Sequence, residues 1–421
     1  MSTAGARSPS IACLGLICSL GIISALPLPA QALDFSQWLN PSKAPFIPIP
    51  EIDTDPESGR TFGIIPTFLQ SDAKGNINSI MAPQAYHNSY FGWGIGASIF
   101  QYPSADEQWS IEGDIEQRVE RTVDFNFQQG LLRQGPLSFT GRLLYDRNGT
   151  PRFFGIGNNT TFADQTNYTS ATELAQATPA WNITQKLQFG YTLRAETVDV
   201  MRGSIPGVPS IEHRFRNPSS LGTVSLWLHR LLLTYDTRDS LNLPTRGTQL
   251  VIYGAMAARS GFLNASMYSE AGFEGRQYFP LGHQAVLALH AALRYLPSGH
   301  RLPFWALSSI GGDRAFLGGA QPLRGYGLGR FTDRNAFSFS AEFRRTIGSL
   351  NIMSSQIDFQ IAPFVDVGRV FSRPSTDPLS HLHSVGGLGM RGLAPPFIVG
   401  YVDVGYGSEG VAVFTGINYP F

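Results

Sequence analysis

The stretch Gln356-Ile357-Asp358-Phe359-Gln360-Ile361-Ala362-Pro363-Phe364-Val365-Asp366-Val367-Gly368 decides the fold class. In an extended chain, successive side chains point to opposite faces. Ile357, Phe359, Ile361, Val365 and Val367 therefore fall on one side, and Asp358, Gln360, Phe364, Asp366 and Gly368 on the other. Residues 336–346 repeat the pattern, with Phe337, Phe339 and Phe343 against Ser338, Ser340, Glu342 and Arg344. So do residues 109–118, with Trp109, Ile111 and Ile115 against Ser110, Glu112, Asp114, Glu116 and Arg118. Residues 187–196 follow suit, with Leu187, Phe189, Tyr191 and Leu193 against Gln188, Thr192, Arg194 and Glu196. A soluble β-sandwich also alternates, so periodicity alone does not choose between the two. The number and length of these strands, their aromatic ends and their unbroken run to Phe421 favour a membrane barrel. Closing the sheet removes the edge strands that lipid does not tolerate.

Composition agrees. Charged residues make up 15% of the chain, against about 25% in ordinary soluble domains. Aromatics reach 12%, and there are 45 glycines. Mean hydropathy is −0.05, so the apolar residues are dispersed and not gathered into long runs. The 31 basic and 31 acidic residues cancel, which gives no electrostatic reason to expect nucleic acid as a partner.

The first 32 residues read as a secretory signal peptide, with Arg7, an apolar segment from Ile11 to Leu26, and Ala30-Gln31-Ala32 as cleavage site. Both cysteines, Cys13 and Cys18, lie within it, so the exported chain is expected to lack thiols and disulfides. Residues 33–59 carry Pro41, Pro45, Pro48, Pro50 and Pro56 and read as an extended periplasmic linker. Residues 60–421 are left for the barrel. Sixteen strands are expected, near 60–70, 77–86, 91–102, 107–128, 136–147, 166–180, 184–202, 224–238, 246–259, 264–279, 284–297, 335–347, 356–370, 384–393, 397–407 and 411–421. The fourth is unusually long and alternatively splits at Val119-Glu120. An even number places both termini on the periplasmic side, with long loops at 148–165, 203–223 and 298–334 outside.

Three passages go beyond a generic barrel. They are Gly318-Gly319-Ala320-Gln321-Pro322-Leu323-Arg324-Gly325-Tyr326-Gly327-Leu328-Gly329-Arg330-Phe331 in the longest loop, Pro363 to Val370, and Tyr235-Asp236-Thr237-Arg238-Asp239 followed by Pro244-Thr245-Arg246-Gly247. In order and spacing they resemble the BamA/TamA superfamily of outer-membrane assembly and translocation proteins, also called the bacterial surface antigen family. The resemblance covers roughly residues 60–421. It implies a closed sixteen-stranded antiparallel transmembrane barrel whose sixth extracellular loop folds into the lumen. It also implies that the loop arginine, here Arg324 with Gly325 and Tyr326 beside it, contacts acidic groups on the inner wall. Strand parity puts Glu342 and Asp366 on that wall. The last strand resembles the family's C-terminal sorting signal, with Tyr419 and Phe421 as its aromatics and host barrel-assembly machinery as its reader. Assembly and secretion members carry POTRA domains before the barrel, and residues 33–59 are too short for one, so the barrel-only subgroup is the nearest.

Other motifs carry less. Gly387-Leu388-Gly389-Met390-Arg391-Gly392 matches a dinucleotide fingerprint, but Pro395 and Pro396 stand where its helix should begin. No G-x-S-x-G elbow is present. His229 and His290 lie in strands without an obvious serine partner, and His381-Leu382-His383 is a possible metal pair in a loop. The reading is therefore of a non-enzyme without cofactor or metal. It sits in the outer membrane among lipid and assists insertion or passage of a polypeptide client, with or without a periplasmic partner. Pro66 in the first strand and Pro420 in the last would weaken a seam between them, because proline has no N–H to donate. The alternative is a passive pore or structural barrel that kept the fold without the assembly role.

Overall fold

The computed structural model describes residues 46–53, 59–72, 77–215, 221–259, 266–282, 284–299, 302–352, 355–373, 380–394, 397–416, 419 and 421. The signal segment, its cysteines and Pro420 lie outside the described residues. The architecture is all-β. In chain order the strands are β1 (Phe46–Asp53), β2 (Thr61–Ser71), β3 (Ile77–Asn88), β4 (Gly92–Ser104), β5 (Glu107–Glu116), β6 (Arg121–Gln129) and β7 (Leu137–Asn148). Then come β8 (Arg152–Phe153), β9 (Thr166–Asn182), β10 (Leu187–Arg202), β11 (Gly222–Asp236), β12 (Gly247–Ala258), β13 (Ser266–Pro280) and β14 (Ala285–Gly299). The last seven are β15 (Ser308–Ile310), β16 (Phe331–Asp333), β17 (Asn335–Ile352), β18 (Ser355–Phe371), β19 (His383–Ala394), β20 (Phe397–Gly407) and β21 (Gly410–Gly416). The short β8, β15 and β16 belong to loops. The other eighteen form one antiparallel meander, each strand pairing with the next.

Two of these strands depart from the sixteen expected. The long fourth segment is two strands, β5 and β6, reversed by a turn at 117–120 in which Val119 takes a φ of +53°. Phe46–Asp53, expected to be linker, pairs along its whole length with β2. The even parity survives, because two strands were added. Pro66 consequently sits in the second strand, not the first.

The two faces of the sheet differ as a membrane wall requires. Ile95, Leu231, Ile252, Val365, Met390 and Val404 are exposed on one face. Trp93, Tyr145 and Tyr406 ring the long-loop end of that face, and Trp181, Tyr235 and Phe279 the short-turn end. Aromatic girdles of this kind sit at the two membrane interfaces of outer-membrane barrels. Ser338, Ser340, Glu342 and Arg344 lie buried on the inner face. The parity of 356–368 holds from Gln360 onward, but Ile357 is buried against Leu69 and Ile80, and Phe359 packs against the same cluster.

The sheet wraps around the loop between β14 and β17, so the first and last strands approach. The Ile49 side chain of β1 packs near Gly400 of β20, just beyond the end of β21. No ladder joins β1 to β21 among the described residues. Nearby pairing is also thin. The β2–β3 ladder runs from Thr61 to Ile64 and resumes at Phe68 in the same register. In the gap, Pro66 faces Pro83, and across the other ladder it faces Pro48. Three donor-less residues thus share one row.

Candidate functional site

The loop between β14 and β17 descends into the lumen. Its backbone reverses at Gly311 and Gly312, whose φ values of +128° and +86° suit glycine. The reversal is held by Gly311 N–H to Gln321 O at 2.9 Å, Leu323 N–H to Gly312 O at 2.9 Å and Gly312 N–H to Tyr326 O at 2.9 Å. This folding carries Arg324 to a position with no solvent exposure.

Arg324 is fully engaged. Its backbone N–H and Nε donate to Asp366 Oδ2 at 3.0 and 2.9 Å, and Nη2 donates to Asp366 Oδ1 at 2.9 Å. Nη1 donates to Glu342 Oε2 at 2.7 Å and to Asp403 Oδ2 at 3.0 Å. The guanidinium lies 3.5 Å from the centre of the Phe364 ring. Burial alone disfavours a charged guanidinium, but Asp366, Glu342 and Asp403 outweigh it and hold the Arg324 pKa well above that of an ordinary arginine. Arg391 donates to Asp403 Oδ1 at 2.6 Å and to Glu342 Oε2 at 3.1 Å, while Arg344 Nε donates to Glu342 Oε1 at 2.8 Å. Three arginines thus balance three carboxylates, which is how a buried charge cluster avoids a large desolvation cost.

Close backbone approach fixes the neighbours. A side chain at Gly405 would collide with the Arg324 carbonyl, and one at Gly325 with the Gly407 nitrogen. Tyr326 shares a 2.8 Å hydrogen bond with the Ser408 hydroxyl and accepts one from Ser408 N–H at 3.1 Å. Arg330 forms an ion pair with Glu409 at 2.6 Å and donates to the Thr160 carbonyl at 2.9 Å, so the loop after β7 is tied in as well. The His383 ring stacks on Phe331 with centroids 3.6 Å apart, and its Nε2 bonds the Asn158 carbonyl. The imidazole is occupied in packing, and no metal-ligating group of three is found among the described residues.

Arg324, Gly325, Tyr326, Glu342 and Asp366 thus lie together, with Glu342 and Asp366 on the inner face. Sequence reasoning missed Asp403 and Arg391. Asp403 was visible as the charged member of the alternating strand 401–407, and Arg391 was set aside with the glycine motif. It also missed a second clasp, on the neighbouring strands β11, β13 and β14. Glu270 lies between Arg230 and Arg294, at 2.6 and 2.7 Å. These arginines donate to the loop carbonyls of Leu317 at 3.4 Å and Leu307 at 3.0 Å. Lone charges on the inward parity of apolar strands were the available signal.

The C-terminal aromatics are placed differently from the expectation. Continued alternation from Val411 and Val413 would turn Tyr419 outward, yet its ring lies 3.7 Å from the Arg344 guanidinium and its hydroxyl bonds Gln360. Phe421 is buried between His290, Arg324 and Arg344. Among the described residues the last ladder runs to Gly416, and Tyr419 and Phe421 lie inside the lumen. The physical reason is that three buried guanidiniums offer an aromatic ring a better surface than the wall does.

An Omp85 superfamily domain model matches residues 106–395. Among solved structures, BamA from Haemophilus ducreyi lacking POTRA domains 1-3 is similar, with 15% identity and a TM-score of 0.51 over 88% of this chain and 75% of that chain. CdiB from Escherichia coli follows at 10% identity and a TM-score of 0.45, over 89% of this chain and 62% of that chain. No curated relative matches in sequence.

Proposed function

Because the chain belongs to the Omp85 superfamily and is an outer-membrane barrel of the protein assembly and translocation type, we propose that it closes at a labile seam between β1 and β21 and there assists insertion or passage of polypeptides. The approach of β1 to the end of β20 without a β1–β21 ladder among the described residues carries this reading. Unpaired strand edges are costly in hydrocarbon. A seam that opens offers an incoming strand a temporary partner, and so lowers the barrier to its insertion. The contribution is thermodynamic and needs no cofactor. The proline row from Pro48 through Pro66 to Pro83 supports it by softening the wall beside the seam.

A passive pore is the poorer reading, because the loop carrying Arg324 occupies the lumen. Cysteines at Ile49 and Gly400, whose neighbourhoods touch, test the proposal. An oxidised Ile49→Cys/Gly400→Cys barrel reconstituted in vesicles is expected to lose its acceleration of client-barrel insertion and to regain it on reduction. Full acceleration in the crosslinked form would refute a working seam.

A further inference from the structure

The outer face of β4 to β7 carries a pattern that neither barrel closure nor the inserted loop explains. One cross-strand row reads Ile95, Ile115, Arg121, Arg147. The next row towards the short-turn end reads Ala97, Gly113, Val123, Tyr145, and the one after it Ile99, Ile111, Phe125, Leu143. Two arginines are therefore direct neighbours at the top of an apolar wall. Like charges opposite each other in a ladder are destabilising. No carboxylate lies within ion-pairing distance of either one among the described residues, because Asp114, Glu116 and Asp146 alternate to the other face. Arg121 is held in place, with Nη1 donating to the carbonyls of Glu116 at 2.9 Å and Glu120 at 2.6 Å. Its Nε and Nη2 remain available to an outside partner.

Beneath the arginines the wall is recessed. Gly113 supplies no side chain, and a Cβ built there meets nothing closer than 3.4 Å. Ile95, Ile115, Val123 and Tyr145 surround the recess, forming with the arginines an open cavity of about 660 Å³. The site lies at the long-loop end, which in an outer-membrane barrel is the external leaflet. Trp93, 63% exposed two residues along from Ile95, marks the interface level.

We propose that this recess binds a phosphorylated lipid of the outer leaflet, with a phosphate between Arg121 and Arg147 and an acyl chain laid over Gly113. Guanidinium forks suit phosphate geometry, and the apolar recess suits the chain. Charge complementarity selects a lipid over a protein partner, because a phosphate resolves the Arg121–Arg147 repulsion while the acyl chain fills a depression that faces hydrocarbon.

The test uses the full chain in nanodiscs of neutral phosphatidylcholine doped with bisphosphorylated lipid A. Bound lipid is read by native mass spectrometry, and proximity by quenching of tryptophan fluorescence with brominated acyl chains. Wild-type protein is expected to retain lipid A, and the Arg121→Gln/Arg147→Gln double variant to retain at least tenfold less. Lys186→Gln, in a short turn at the opposite end, should bind like wild type. Dephosphorylated lipid A should bind weakly, and a Trp93→Phe variant should show less quenching. Equal retention by the double variant would overturn the proposal. Inorganic phosphate displacing lipid A at millimolar concentration would overturn the lipid half, leaving a simple anion site. Correct folding of the double variant is checked by its heat-modifiable migration, and the conservative Arg121→Lys/Arg147→Lys protein should recover part of the retention.

Discussion

Phe421, the last residue of the sequence, stacks on His290 of β14 with ring centroids 5.1 Å apart and planes 26° from parallel. The same ring lies 5.7 Å from the Arg324 guanidinium and 5.6 Å from that of Arg344. The end of the chain and the inserted loop therefore share a surface. Phe421→Ala removes a buried ring, a change that costs about 3–5 kcal/mol in a well-formed core. The refolded variant is expected to lose its heat-resistant compact form on gels at a lower temperature. Deleting Phe421 should also reduce the amount in cellular outer membranes by more than it reduces refolding yield in detergent. Equal reductions would mean that the residue acts through packing alone and not as a sorting signal.

Arg324→Ala and Asp366→Ala each leave partners of a buried charge cluster uncompensated. Each is expected to destabilise the barrel by about 3–5 kcal/mol. Their shared contacts, three hydrogen bonds between 2.9 and 3.0 Å, mean that the double variant should lose less than the sum. Urea unfolding of the four proteins measures the coupling, and strict additivity would contradict a joint role.

Glu270→Gln tests the second clasp. Neutralising this carboxylate leaves Arg230 and Arg294 facing each other without an intervening charge. The loop 302–334 should then be cut faster by an added protease, while Arg324 keeps its ties to Asp366. Unchanged cleavage kinetics would show that the Leu307 and Leu317 carbonyl contacts do not restrain the loop.

The external turn after β5 should respond to pH. Burial pushes the Glu120 carboxyl up from the usual 4.5 to about 8, against the Gly149 N–H bond and with help from Glu116, Asp146 and Asp114. An acid whose folded pKa is raised contributes stability that is complete below the unfolded value and is lost as pH rises through the folded one. The Gly149 amide, which donates to Glu120 Oε1 at 2.6 Å, should therefore be better protected from hydrogen exchange at pH 5 than at pH 8.5, after correction for intrinsic rates. Glu120→Gln should flatten that dependence.

Much of this was legible in period-two alternation. Ser338, Ser340, Glu342 and Arg344 face inward as parity requires, and the loop motif around Arg324 led to two of its three carboxylates. What escaped was set by contacts distant in sequence. Asp403 joins Arg324 across 79 positions, and no local pattern marks that pairing. The turn at 117–120 contains neither glycine nor proline, so nothing punctuated the long strand except its length. Phe46–Asp53 holds two prolines and reads locally as linker, although its residues pair with β2 throughout. Tyr419 and Phe421 continue the outward alternation of β21 on paper. The attraction of their rings to Arg344 and Arg324 breaks it.

The proline row has a consequence for the surrounding bilayer. Where Pro66 faces Pro83, neither residue has an amide proton, and the carbonyls that would accept from them are left over. Leaving such groups dry in hydrocarbon costs several kcal/mol each. Water is the cheapest remaining donor, so hydration should reach deeper along β2 and β3 than elsewhere around the wall. Lipid packing would be looser on that side of the protein before any client arrived.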